Sequence, residues 1–220
     1  MGLRINTNVA ALNTSRILRQ NTLSLNKSLE RLSSGLRINR AADDAAGLAI
    51  AEGFRSQVRG ARVAIRNSQD GVSLIQTTEG ALSESSNILQ RIRELAVQAA
   101  NGTNNDDNRA ALDAEVQQLL LQVDDIALDT EFNGLLVLSA AQTVTLQAGS
   151  QPGQTLELTV AGAKTSDLGV NGLSISDTTL AISTISTIDV ALRSINLQRS
   201  DLGALQNRLE FTINTLEIQE

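Results

Sequence analysis

The sequence predicts a mainly α protein, an elongated antiparallel helical bundle or coiled coil with a small β-hairpin subdomain. Three observations predict it. From Phe54 the chain is apolar or small at Phe54, Val58, Ala61, Ile65, Ser68, Val72, Ile75, Leu82, Ser86 and Leu89, in alternating steps of four and three, with Glu79 the one charged intruder. The same spacing returns in 109–128 and again from Thr178 onward. Between these stretches the period drops to two, at Val144-Thr-Leu146 and Leu156-Glu-Leu158-Thr-Val160. A proline-free heptad seam marks a helix lying along other helices, and strict alternation marks a strand with one buried face.

Composition agrees. Apolar residues make up 41% of the 220, but they are aliphatic: there are three Phe and no Trp or Tyr. Such side chains suit narrow helix–helix seams better than a thick globular interior. The net charge is −6, and the basic residues, 16 Arg with Lys27 and Lys164, are scattered. Without a basic patch or stacking aromatics there is no case for nucleic acid. The absence of His and Cys removes thiol chemistry, Ser–His–Asp triads and ordinary zinc sites. No glycine loop cradles a phosphate between strand and helix, so neither an enzyme nor a cofactor is expected. No segment approaches 18 consecutive apolar residues, so no membrane span is expected. The N-terminus lacks a charged stretch followed by an apolar run, so export would use a route other than a signal peptide.

In chain order, residues 1–34 read as helix. Ile5, Val9 and Leu12 form one stripe; Leu18, Leu25, Leu29, Leu32 and Leu36 form a cleaner second one. Asn6, Asn8, Asn13, Thr14, Asn21 and Thr22 are weak helix formers, so this segment should be ordered only against a partner. Ser33-Ser34-Gly35-Leu36 reads as its end, with Gly35 left-handed. Asp43 or Asp44 caps the next helix, which runs to Asn101-Gly102 and spans ~85 Å at about 1.5 Å per residue. Gly47, Gly53, Gly60, Gly71 and Gly80 inside it imply another backbone close by. A shorter antiparallel companion is expected over 109–128, with Leu112, Val116, Leu119, Val123 and Ile126 as its seam. Phe132-Asn133-Gly134 is a turn, 144–160 a hairpin through Gly149-Ser-Gln-Pro152-Gly153, and 162–177 irregular. From Thr178 a last helix carries Ile185, Ile188, Leu192, Ile195, Leu202, Leu209, Ile213 and Leu216, with Arg199 and Gln206 as polar members of the same register. Its seam continues unbroken to Glu220, which implies more helix beyond.

Longer blocks identify a family. Ser28-Leu-Glu-Arg-Leu-Ser-Ser-Gly-Leu-Arg-Ile-Asn39 followed by Ala41-Ala-Asp-Asp-Ala-Ala-Gly-Leu-Ala-Ile50 resembles the N-terminal signature of bacterial flagellin. Gln90-Arg-Ile-Arg-Glu-Leu-Ala-Val-Gln98 and Glu131-Phe-Asn-Gly134 are similar to later blocks, and Ala191 to Leu216 looks like the family's returning helix. The resemblance implies a structural subunit of the flagellar filament, self-assembling for motility, exported through the flagellar type III apparatus and handled by the filament cap. It implies three parts: residues 1–42 as a coiled-coil arm lining the filament channel, 43–130 with 178–220 as an α-helical tube domain, and 131–177 as the hairpin and a short insertion. The family's terminal helix is missing, so homo-oligomerisation into a filament is expected where that helix is present. Rival readings are a truncated, non-polymerising fragment acting only as an immune ligand, and a hook–filament junction protein.

Two sets of site residues follow. The self-assembly seam comprises Leu25, Leu29, Leu32, Leu36, Phe54, Val58, Ile65, Leu192, Ile195 and Leu209. By the residues alone, Leu95 lies one place off the seam through Leu89, Ile92, Ala96 and Ala99, and reads as a rim residue beside Arg91. The resemblance adds a role: the matching block of similar flagellins contacts Toll-like receptor 5, which implies Gln90, Arg91, Leu95 and Glu115 as receptor contacts. Asp43 and Asp44 read as caps rather than a metal pair.

Overall fold

The computed structural model describes residues 8–219. Ile5 and the predicted start of the first helix lie outside them. Among the described residues there are four helices, α1 (Val9–Ser34), α2 (Ala45–Ala99), α3 (Asp106–Asp129) and α4 (Thr178–Gln219), and four short strands, β1 (Glu131–Phe132), β2 (Leu135–Leu136), β3 (Gln142–Gln147) and β4 (Thr155–Val160). It divides into two compact units, Met1–Gln57 and Val58–Glu220, the boundary falling inside α2.

In the first unit the Asn8 side chain accepts from the Ala11 N–H and caps α1. Gly35 ends the helix in the left-handed region at φ +68°, its N–H bonded to the Arg31 carbonyl. The next ten residues fold back on α1 through charge. Lys27 Nζ lies 2.6 Å from Asp43, and Arg40 Nε donates to Glu30 Oε1 at 2.7 Å. The two adjacent acids therefore separate in role. Asp44 caps α2, accepting from the Gly47 N–H at 2.9 Å, while Asp43 takes Lys27 and the N–H groups of Asn39 and Arg40.

The second unit is built on α2 from Val58 onward. Its core joins Ile75, Leu82, Leu89 and Ile92 of α2 to Val116 and Val123 of α3 and to Ile188, Ile195 and Leu202 of α4. A smaller cluster joins Ala61, Ala64 and Ile65 to Leu216. Asn105 caps α3 through the Asn108 N–H, so this helix begins three residues before the predicted Arg109. Arg109 is buried, and its Nε donates to the Ala99 carbonyl at the end of α2. The fully buried line of α3 is Val116, Leu120, Val123 and Ala127, with Leu112, Leu119 and Ile126 half-buried beside it. The predicted seam was therefore one edge of the buried face, rotated because α3 meets residues 135–138 and the irregular segment as well as α2.

Asn133 and Gly134, both at positive φ, turn β1 into β2. β3 and β4 pair antiparallel with Val144 opposite Leu158 and Leu146 opposite Leu156. Leu156, Leu158 and Val160 face the core. The hairpin meets α2 at two glycines. A Cβ at Gly71 would collide with Leu146, and one at Gly60 would sit 3.0 Å from Ser150 Cβ. Gly53 and Gly80 have open space instead, so close approach accounts for only part of the glycine content. Asn67 donates to the Gln147 carbonyl and fastens the same contact.

Residues 161–177 form turns pinned to α3. Asp124 accepts from the Thr165 N–H and hydroxyl, both at 2.8 Å; Asp113 accepts from the Ile175 N–H at 2.6 Å; Gln117 donates to the Leu173 carbonyl. α4 then begins at the expected residue. By length and composition an 18-residue window of α4, of mean hydropathy 1.2, is apolar enough to cross a membrane, although polar residues interrupt it and no run of 18 consecutive apolar residues occurs in the helix. Its buried stripe from Ala181 to Leu216 serves the core of this unit.

Candidate functional site

Within the first unit α1 has no buried residue. Leu18, Leu25, Leu29 and Leu32 stand on its surface, each more than half exposed, and Leu36, Ile50 and Phe54 are exposed as well. Burying one such side chain is worth ~1.5–3 kcal/mol, so a row of them at heptad spacing is a face that gains by being covered. The predicted seam residues thus separate. Leu25, Leu29, Leu32, Leu36 and Phe54 are exposed. Ile65, Ile195 and Leu209 are buried within the second unit, with Val58 and Leu192 half-buried.

A second candidate surface lies on the second unit, where α2 meets α3. Arg91 donates from Nε and Nη2 to Glu115 Oε1, at 3.1 and 2.9 Å, and from Nη1 to Glu94 Oε2 at 3.2 Å. Hydrogen bonding to Glu115, then to Glu94, pushes the Arg91 pKa above its ordinary value. The guanidinium thereby ties α2 to α3 through Glu115 and bonds along α2 to Glu94. Gln90 and Glu115 are exposed beside it.

Leu95 departs from the rim reading: it is 1% exposed. A single heptad seam would leave Leu95 at its rim, but α2 packs into a core that includes both α3 and α4, so its buried face is wider than one seam. Arg91 and Leu95 are one turn apart, and Arg91 bonds to α3, so Leu95 lies on the side that α3 covers. Arg93 points the other way, donating to Asp189 of α4 at 2.7 Å, and that contact raises its pKa. The exposed patch is Gln90, Arg91 and Glu115, with Leu95 behind it.

Two features escaped the sequence reading. The intruder Glu79 and the polar seam member Arg199 are partners, 3.4 Å apart. Each was visible alone, but pairing them requires the antiparallel alignment of α2 and α4. α4 also carries an outer apolar row, Val190, Leu197, Phe211 and Ile218, all more than half exposed. Their spacing, seven and then fourteen and seven, was the available signal. No group of three or more acidic side chains able to hold a metal ion occurs among the described residues.

The chain is similar to known proteins over most of its length. Residues 5–143 match the family described as the bacterial flagellin N-terminal helical region. A flagellin of Halalkalibacterium halodurans is 49% identical over 216 residues, covering 97% of this chain and 79% of that relative. A flagellar filament 31.3 kDa core protein of Treponema maltophilum is 42% identical over 232 residues, covering 97% of this chain and 81% of that relative. Among solved structures, Bacillus cereus flagellin superposes with a TM-score of 0.59 at 34% identity, covering 69% of this chain and 88% of that one.

Proposed function

The chain belongs to the bacterial flagellin family, and on that premise we propose how its surfaces divide the work of a filament subunit. The role is structural. The second unit supplies a core that folds from its own residues. The exposed leucine row of α1 is the face covered when subunits assemble, together with the outer row of α4. The observation that carries this reading is that α1 presents heptad-spaced leucines without one buried residue. We further propose that residues 1–42 act as the coiled-coil arm, that 43–130 with 178–220 form the tube domain around the 131–177 hairpin, and that the subunit is secreted through the flagellar export apparatus and assembled beneath the cap. Negative-stain microscopy of the protein carrying the family's terminal helix tests the assembly face. Filaments are expected, and the pair Leu25→Asp and Leu32→Asp is expected to abolish them while leaving the helical signal of the second unit intact. Normal filaments from that variant would remove α1 from the assembly face; monomers from the parent chain would favour the immune-ligand reading alone.

Recognition by Toll-like receptor 5 is proposed for the Gln90, Arg91 and Glu115 patch. What supports it is the planar guanidinium held open to solvent by two carboxylates, with the buried Leu95 fixing the helix beneath. A reporter-cell assay is expected to show a loss of response of at least tenfold for Arg91→Ala and for Glu115→Ala. An intact response to both would sink the assignment. The names of the matched relatives, flagellin and filament core protein, favour a filament subunit over a hook–filament junction protein.

A further inference from the structure

We propose that the Glu79–Arg199 pair sets the register in which α4 lies against α2. The two helices run antiparallel: Arg93 meets Asp189, Glu79 meets Arg199, and Gly71 faces Leu209. Their apolar contacts repeat at a regular interval. α4 buries a residue every seven, from Ala181 through Ile188, Ile195, Leu202 and Leu209 to Leu216. α2 does the same from Ala61 to Ala96 and again from Ala64 to Ala99. A shift of one heptad replaces Leu209 opposite Gly71 by Leu202 or Leu216, another leucine in either direction. The pattern of burial therefore survives a one-heptad shift, and what resists it in the apolar rows is the size of particular facing residues, such as Gly71 against Thr78.

Charge discriminates as well. The same shift carries Arg199 from Glu79 to Val72 or Ser86, and leaves Glu79 facing Leu192 or Gln206. Both side chains are about one-third exposed, 34% and 38%, so a charge left without its partner carries a cost that solvent reduces but does not remove. The native contact is not optimised for strength. It is a single hydrogen bond at 3.4 Å, and Arg199 Nε and the neighbouring Gln198 Oε1 are buried with no partner among the described residues. A polar layer that returns little stability and excludes the alternatives is the pattern of a register device. Arg93–Asp189, at 2.7 Å and 45% and 42% exposed, is a second cross-helix pair that the same shift would break; Arg93→Cys removes it in every arm of the test. The rival determinant is the connection before α4, which Asp113 and Asp124 tie to α3.

The chain has no cysteine, so an introduced pair reports without background. Arg93→Cys with Asp189→Cys marks the native register. Arg93→Cys with Ile182→Cys or with Asn196→Cys marks the registers one heptad to either side. Each pair is treated with a short thiol cross-linker in the parent background and in Glu79→Leu/Arg199→Leu. In the parent only the native pair should react. In the leucine background the helical signal should persist and a shifted pair should react at least tenfold faster than in the parent. The charge swap Glu79→Arg/Arg199→Glu should restore native-only reaction. The proposal is overturned if the leucine background stays native-only, which would give the register to the connection, or if it fails to fold, which would make the pair a structural support.

Discussion

Helix α1 and the part of α2 beyond Gln57 are written in the same residues at the same spacing, yet α1 buries nothing and α2 buries sixteen residues. The sixteen begin at Ala61, just past the boundary between the two units. Heptad spacing specifies that a helix has a face to cover; it does not say what covers it. For α2 the cover is supplied by α3, α4 and the hairpin of the same chain. For α1 no apolar cover is present among the described residues, and what orders the neighbouring segment is charge, through Lys27–Asp43 and Glu30–Arg40. The two halves thus contrast a core completed within the second unit with an exposed face, the one proposed to be covered on assembly.

Substitutions sharpen the contrast. The largest effect is expected in the second unit: Leu82→Ala, at a site with no exposure, should lower the unfolding free energy by ~2–5 kcal/mol in a urea titration followed by circular dichroism. Asp124→Ala strips two partners from Thr165 and leaves a part-buried N–H unsatisfied, so a loss of ~1–3 kcal/mol is expected by the same measurement. Leu32→Ala removes a leucine of the same size as Leu82 and should stay within ~0.5 kcal/mol of the parent chain, because Leu32 is 81% exposed. A loss above 2 kcal/mol there would mean that α1 is already covered in the isolated subunit.

The smallest effect is a pH dependence in the first unit. The Lys27 ammonium, followed by the Asn39 N–H, holds the Asp43 carboxyl below its ordinary value. A carboxylate with a depressed folded pKa contributes stability above its unfolded pKa, about 3.9, and that contribution is lost as pH falls through the lower folded value. Asp43→Asn should therefore reduce the order of 35–44 at pH 7 and make progressively less difference as the pH falls below about 3.9. The carboxyl carbon shift of Asp43, followed by NMR, should titrate below the ordinary range and move up toward it in Lys27→Ala. An unchanged midpoint would mean that the ion pair is not formed in solution.

Much of this architecture was legible because the chain switches period where its structure changes. Thr178 begins α4 as expected, Gly35 ends α1 at positive φ, and the alternating Leu156-Glu-Leu158-Thr-Val160 is the strand that lines the core. What the period could not convey was how many neighbours each helix has. Leu95 reads as a rim residue against one seam and is buried because α2 shares its core with both α3 and α4. Leu112, Leu119 and Ile126 read as a seam and are its edge, because α3 also meets the irregular segment. The Glu79–Arg199 and Arg93–Asp189 contacts join residues 120 and 96 positions apart. They depend on tertiary alignment, which local spacing does not carry.

The central claim is that α1 is left uncovered in the subunit and covered on assembly, while α2 beyond Val58 is covered throughout. Hydrogen–deuterium exchange, compared between monomer and assembled protein, tests it most directly. The account predicts fast exchange across 9–34 in the monomer, strong protection of the same amides after assembly, and protection of 61–99 in both. Protection of α1 in the monomer equal to that of α2, or fast exchange in α1 after assembly, would contradict it.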